Sequence, residues 1–212
     1  GYNSEMLVEE GMDELEIKDY ADLIEVAKMF TKDPTGDGKT DQWGYLYTGH
    51  HGWTVTGHLR AWGVDPVSPK FGATKAELNG EKQVQALRWI HDMLHVHKVC
   101  PLPGSLNYNE IFIAGTAAMR SGYLTMSGEQ VGIGDRFTQK HISMPDGPAG
   151  PTGFYNHDQM AMNAKTKDVE ASWKLLSYFC GKEQGIRLGL PEGGSAASCG
   201  MRRDVFGDPG FH

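Results

Sequence analysis

Apolar positions change period several times along this chain, and each change marks an element. Residues 1 to 11, GYNSEMLVEEG, read as a strand end followed by a short helical turn. From 19 to 30, Tyr20, Leu23, Ile24, Ala27 and Phe30 recur at i, i+3, i+4 and i+7. That is the stripe of a surface helix, and Asp19 stands where its N-cap belongs. WGYLYT (43–48) reads as a strand, and HGWTVTGHLRAWGV (51–64) as a helix ending near Gly63. Residues 65 to 80 form a loop bearing Pro and Gly. Residues 81 to 99 give the longest helix, with Val84, Leu87, Ile90, His91 and Leu94 on one face and Pro101 and Pro103 stopping it. Asn107 to Ala114 is a short helix closed at Gly115.

AAMRSGYLTM (117–126) reads as a buried strand and a turn, and 141 to 163 as a strand, a Pro/Gly loop and a second strand. Asp168 to Cys180 is a helix with Val169, Trp173, Leu176 and Phe179 on one face. From Gly189 onward the chain is Gly/Ser-rich and irregular. Strands alternating with helices predict an α/β fold.

Composition narrows the classes of function. At 212 residues, 39% hydrophobic and 22% charged, the chain can bury a real core. A net charge of -7 argues against nucleic acid as a partner, since phosphate binding needs clustered Lys and Arg. Cys100, Cys180 and Cys199 are too few and too scattered for a disulfide scaffold or a zinc site. Cys180, inside a helix, is expected to be a buried thiol. A Cys180–Cys199 bridge is left open by the sequence.

Between the first long helix and the aromatic strand, Asp33, Thr35, Asp37, Lys39 and Asp41 occupy alternate positions, with Gly38 among them. Such spacing turns side-chain oxygens, and the carbonyl of Lys39, toward a common point, as in calcium loops. Gly44 stands where an EF-hand would need its final Glu. The competing reading is an Asp/Gly turn held by local hydrogen bonds. GDGKT (36–40) is no phosphate loop, because Asp33 occupies the position of the first Walker glycine. His91 and His95 have zinc-helix spacing, but Asp92 replaces the Glu that a metalloprotease needs and no third ligand is assignable.

The order of segments resembles the family 1 extracellular solute-binding proteins of ABC importers, which include maltose- and oligosaccharide-binding proteins. The resemblance rests on Tyr2-Asn3-Ser4, Thr31 to Tyr45, Phe112 to Gly122, Pro145 to Gly153 and Lys165 to Phe179, met in that order. It implies a periplasmic-binding-protein fold of type II, in which two lobes close on a solute. Family members run to roughly twice this length. By analogy, residues 1 to 140 would be the core of the second lobe, 141 to 187 would cross toward the first lobe, and 188 to 212 would return.

The resemblance also implies a function. The protein would capture a carbohydrate, an oligosaccharide among the candidates, and deliver it to a membrane permease without making or breaking a bond. It would work as a monomer in the periplasm or on the outer face of the cytoplasmic membrane, often through a lipid anchor. It would need no cofactor beyond a structural calcium in the acidic loop. The segment holding His50, His51, Trp53, His58 and Trp62 suits sugar capture, since flat aromatic faces stack on pyranose C–H surfaces. By analogy the ligand-binding residues are Trp53 and His51, then Tyr123, and Tyr155 and His157 in a later segment. Trp62 and Trp53 as helix core is the competing reading. Two alternatives differ in class: a metal-assisted hydrolase using His91 and His95, and a calcium-stabilised structural module.

Overall fold

Asn3 sets how the chain begins. Its side-chain oxygen accepts from the N–H groups of Glu5 and Met6, so strand β1 (Tyr2–Asn3) gives way at once to helix α1 (Ser4–Glu9). A computed structural model describes residues 1–49, 52–68, 72, 74–105, 107–122, 132–153, 160–189 and 203–207. They fall into two units, one from Gly1–Gly122 with Ile133–Phe154, the other from Tyr123–Gly132 with Tyr155–His212.

In the first unit, α2 (Tyr20–Phe30) is capped by Asp19, whose carboxylate accepts from the N–H groups of Ala21 and Asp22. The whole predicted stripe, Tyr20, Leu23, Ile24, Ala27 and Phe30, is buried. Strand β2 (Trp43–Leu46) comes next. It lies so close to α2 that a Cβ on Gly44 would stand 1.8 Å from the carbonyl oxygen of Ala27. Only glycine allows that approach, and this is the physical content of the Trp43-Gly44 pair.

Helix α3 (Gly52–Ala61) ends as expected at Gly63, whose φ of 76° belongs to glycine. The region read as loop carries a small antiparallel hairpin, β3 (Val67–Ser68) with β4 (Lys75–Ala76). Helix α4 (Glu81–His95) is shorter than predicted. Ala86 and Met93 are its buried residues, while Val84 and His91 are exposed. Of the predicted face, Leu87, Ile90 and Leu94 do pack against the core, and Trp89 and Ala86 join them around the ring of Tyr20 in place of Val84.

Helix α5 (Tyr108–Ile113), capped by Asn107, leads to β5 (Ala117–Arg120), buried at every position. The last strand is β6 (Gln139–Lys140). The sheet order is β2-β5-β1-β6. β2 and β5 are parallel, pairing Trp43 with Ala117, Tyr45 with Met119 and Leu46 with Arg120. β1 is antiparallel to both β5 and β6. A parallel pair needs a long crossover, and α3 to α5 supply it.

The strand expected to start at His141 is replaced by β6, which stops at Lys140. Its partner β1 offers only two residues before α1 begins, so the ladder runs out. The Pro/Gly stretch beyond it makes isolated bridges only, at Asp146, Gly147 and Gly150. Residues 160–163 are not strand either. The core is built on Phe30, Phe112, Leu7, Leu46 and Met93. Burying each such side chain contributes roughly 1.5–3 kcal/mol.

In the second unit, α6 (Val169–Phe179) is capped by Asp168, and α7 (Lys182–Gly189) comes directly after it. A short helix, α8 (Arg203–Phe206), packs on α7 through Val205, which is buried against Gly185. The predicted face of α6 exists but is not covered: Val169 and Trp173 are each 59% exposed, and Leu175 and Tyr178 are exposed beside them. Cys180 is likewise exposed, against expectation, because α6 buries no residue. Among the described residues, the buried thiol is Cys100.

Candidate functional site

In open parallel sheets, ligands gather beyond the carboxyl ends of the strands. Here that edge lies past Leu46 of β2 and Arg120 of β5, which are paired neighbours. The chain segments leaving it are stitched together. The N–H of Ser121 donates to the Leu46 carbonyl at 3.0 Å, and the N–H of Thr48 donates to Ser121 Oγ at 3.2 Å. The hydroxyls of Thr48 and Ser121 lie 3.3 Å apart, and that of Thr48 is 3.5 Å from the Thr54 hydroxyl in the first turns of α3. Thr48 and Ser121 are both buried, so they fix the edge and leave the contacts to residues further along. Sequence reasoning missed this hydroxyl set. Its only signal is a Thr and a Ser each placed just after a buried strand.

The expected ligand residues flank this frame. Trp53 is the second residue of α3, and only its backbone position is described. His51, Tyr123, Tyr155 and His157 lie outside the described residues, as do His50, Phe154, Cys199 and Arg202. His58 and Trp62, which the sequence placed in the same aromatic segment, are core residues. His58 is 3% exposed and sits among Tyr20, Trp62, Trp89 and Tyr47. Its Nε2–H donates to the Ala86 carbonyl at 2.8 Å, tying α3 to α4. Burial pushes the imidazole pKa down to about 4, and the bond to Ala86 recovers only part of that shift.

The acidic loop is closed by hydrogen bonds. Asp33 accepts from the N–H groups of Gly36 and Gly38 at 2.7 and 2.8 Å, and from the Thr35 hydroxyl at 3.1 Å. Asp41 accepts from the same hydroxyl at 2.8 Å, and Asp37 from the Lys39 N–H. Slight desolvation raises the Asp33 pKa, but the amides of Gly38 and Gly36 and the Thr35 hydroxyl outweigh it and hold the carboxyl below its usual range. Lys39 also pairs with Asp37 at 3.3 Å. Among the described residues, no group of three or more His, Cys, Asp or Glu stands together as metal ligands would. Calcium at this loop would have to displace the N–H donors. On α4, the rings of His91 and His95 are 4.8 Å apart, and His91 Nδ1 is 2.9 Å from the Asp92 carboxylate.

Cys100 is held rather than presented. Its sulfur accepts from the Tyr47 N–H at 3.3 Å and lies 3.8 Å from the Tyr108 hydroxyl. Burial pushes the thiol up to about 11, so it stays protonated and inert.

The sequence matches the bacterial extracellular solute-binding protein family over residues 1–188. The chain belongs to that family. No curated protein matches it significantly. Solved structures give the fold of this solute-binding chain. The maltose/maltodextrin-binding domain MalE of Bdellovibrio bacteriovorus, bound to maltotriose, superposes with a TM-score of 0.72 at 21% identity, over 98% of this chain and 54% of its own. An ABC transporter solute-binding protein of Thermotoga lettingae TMO, bound with alpha-D-tagatose, gives 0.72 at 16% identity, over 98% and 54%. One of Agrobacterium vitis S4, with D-mannitol, gives 0.70 at 16% identity, over 99% and 51%.

This solute-binding chain therefore spans about half the length of the structures it matches, and its fold is a part of the type II periplasmic binding fold. Its family acts outside the cytoplasm, and among the described residues no helix is long and apolar enough to cross a membrane. The family captures solutes and does not transform them, so the hydrolase alternative at His91 and His95 falls.

Proposed function

We propose that the protein is the solute-capturing component of an ABC importer for a carbohydrate, which it holds by cleft closure and passes to a membrane permease. The observation that carries this reading is the parallel pairing of β2 with β5. It brings the exits toward His51 and Trp53, and toward Tyr123, to one sheet edge. We assign those three residues to the solute, with Tyr155 and His157 from the later segment. Trp53 would stack on a sugar face, and the imidazoles would meet hydroxyls. The relatives named above hold a trisaccharide, a ketohexose and a polyol, which favours a polyhydroxylated solute. Residues 1–140 would form the second-lobe core, 141–187 the passage toward the first lobe, and 188–212 the return. The working unit would be a monomer on a lipid anchor.

The test is thermal melting of the full-length protein against mono- and oligosaccharides and polyols, each with calcium or with a chelator. A solute at 100 times its Kd adds about 2.7 kcal/mol. A shift with one sugar class supports the reading, and no shift with any sugar defeats the carbohydrate assignment. Calcium in the acidic loop is a separate proposal, suggested by Asp33 and Asp41 both reaching Thr35. It requires the melting temperature to rise with calcium alone.

A further inference from the structure

Two polar atoms in the core beside the candidate site have no hydrogen-bond partner among the described residues: the Tyr47 hydroxyl and His58 Nδ1. Both side chains are more than nine-tenths buried. Their needs are opposite. His58 gives its Nε2 proton to the Ala86 carbonyl, so Nδ1 carries a bare lone pair and can only accept. The Tyr47 hydroxyl holds a proton firmly, because burial raises its pKa well above the usual tyrosine range, and it has a donor to give. The two rings are neighbours, with centroids 6.1 Å apart and planes at 68°. They do not bond directly. Leaving either atom unsatisfied in the core is strongly unfavourable, because each has given up its bond to bulk water.

One molecule answers both needs. We infer that a single buried water lies between Tyr47 Oη and His58 Nδ1, accepting from the first and donating to the second. A water bridges polar atoms that stand too far apart to bond directly, through two ordinary hydrogen bonds. Buried waters occupy such polar gaps and behave as part of the structure. The rings of Tyr20, Trp62 and Trp89 pack around the imidazole, and His58 and Tyr47 are both buried, so such a water would exchange slowly with bulk solvent. The consequence is a relay: Ala86 carbonyl, His58, water, Tyr47. It joins α4 and α3 to the residue just past the end of β2, immediately before Thr48 and the turn toward His51.

A crystal structure of the full-length protein at a resolution that places waters tests this. A single peak within hydrogen-bond distance of both atoms is expected in the unaltered protein, and its loss is expected in Tyr47→Phe. In solution, the His58 Hε1 proton should show an Overhauser contact to long-lived water that Tyr47→Phe removes. An empty gap, a direct Tyr47–His58 bond, or a peak unchanged in Tyr47→Phe would each overturn the inference. The unaltered protein alone decides the first two, so a variant that failed to fold would not shield the idea.

Discussion

His58 is the residue whose chemistry is most distorted by its surroundings. Its folded pKa of about 4 lies below the ordinary value of 6.5, because charging the ring inside an aromatic core is unfavourable. Unfolded, the same ring takes a proton near pH 6.5. The unfolded state thus binds more protons between those values. The stability His58 contributes is complete above pH 6.5 and is lost as pH falls from there through 4. The loss is on the order of 3 kcal/mol. Urea midpoints measured from pH 7 to pH 4 should fall across that window, beyond what the carboxylates account for. A flat profile above pH 5 would show His58 to be solvated. Nothing in the sequence announced this. His58 stands in a segment rich in aromatic residues and imidazoles, which suits a wet sugar site and a dry core equally well. Tyr20 of α2, with Trp89 and Ala86 of α4, decides between them.

Elements whose signals are local were legible from the sequence, and those set by partners were not. Helices α2, α5 and α6 carry their own caps in Asp19, Asn107 and Asp168 and their own periodicity. Strand β6 was misjudged because its length is dictated by β1. The burial of α6 was misjudged because a stripe reports amphipathicity, not what covers it. Two outcomes belong to this scale. Gly44→Ala must push α2 off β2, since the new methyl would meet the Ala27 backbone rather than a yielding side chain. A loss of about 1–3 kcal/mol or more is expected in urea unfolding, and a neutral result would show that the two elements are not in contact. Thiol chemistry should divide Cys180 from Cys100. A maleimide should label the exposed Cys180 in the native protein, and Cys100 only after denaturation. Peptide mapping by mass reads both, and rapid native labelling of Cys100 would contradict its burial.

At the scale of the molecule, the candidate site was half legible. The residue types were visible in sequence, because aromatic side chains near Gly-rich turns suit flat sugar faces. The strand pair proposed to carry them was not, because β2 and β5 become neighbours only through a crossover of three helices. If Trp53 is the stacking residue, Trp53→Ala should weaken solute binding tenfold or more, about 1.4 kcal/mol. The melting temperature without solute should stay put. Isothermal titration of the full-length protein reads the first and a melt the second. Unchanged affinity would remove Trp53 from the site.

The shared edge of β2 and β5 has a consequence for how such a protein diversifies. The ladder and the bonds among Leu46, Thr48 and Ser121 lie before or at the point where the chain leaves the sheet. If the segments beyond that point carry the solute contacts, they can be exchanged while this ladder is kept. Appetite for a new nutrient would then evolve by rewriting those outgoing turns. A designer could transplant them between receptors as cassettes, keeping the hub untouched.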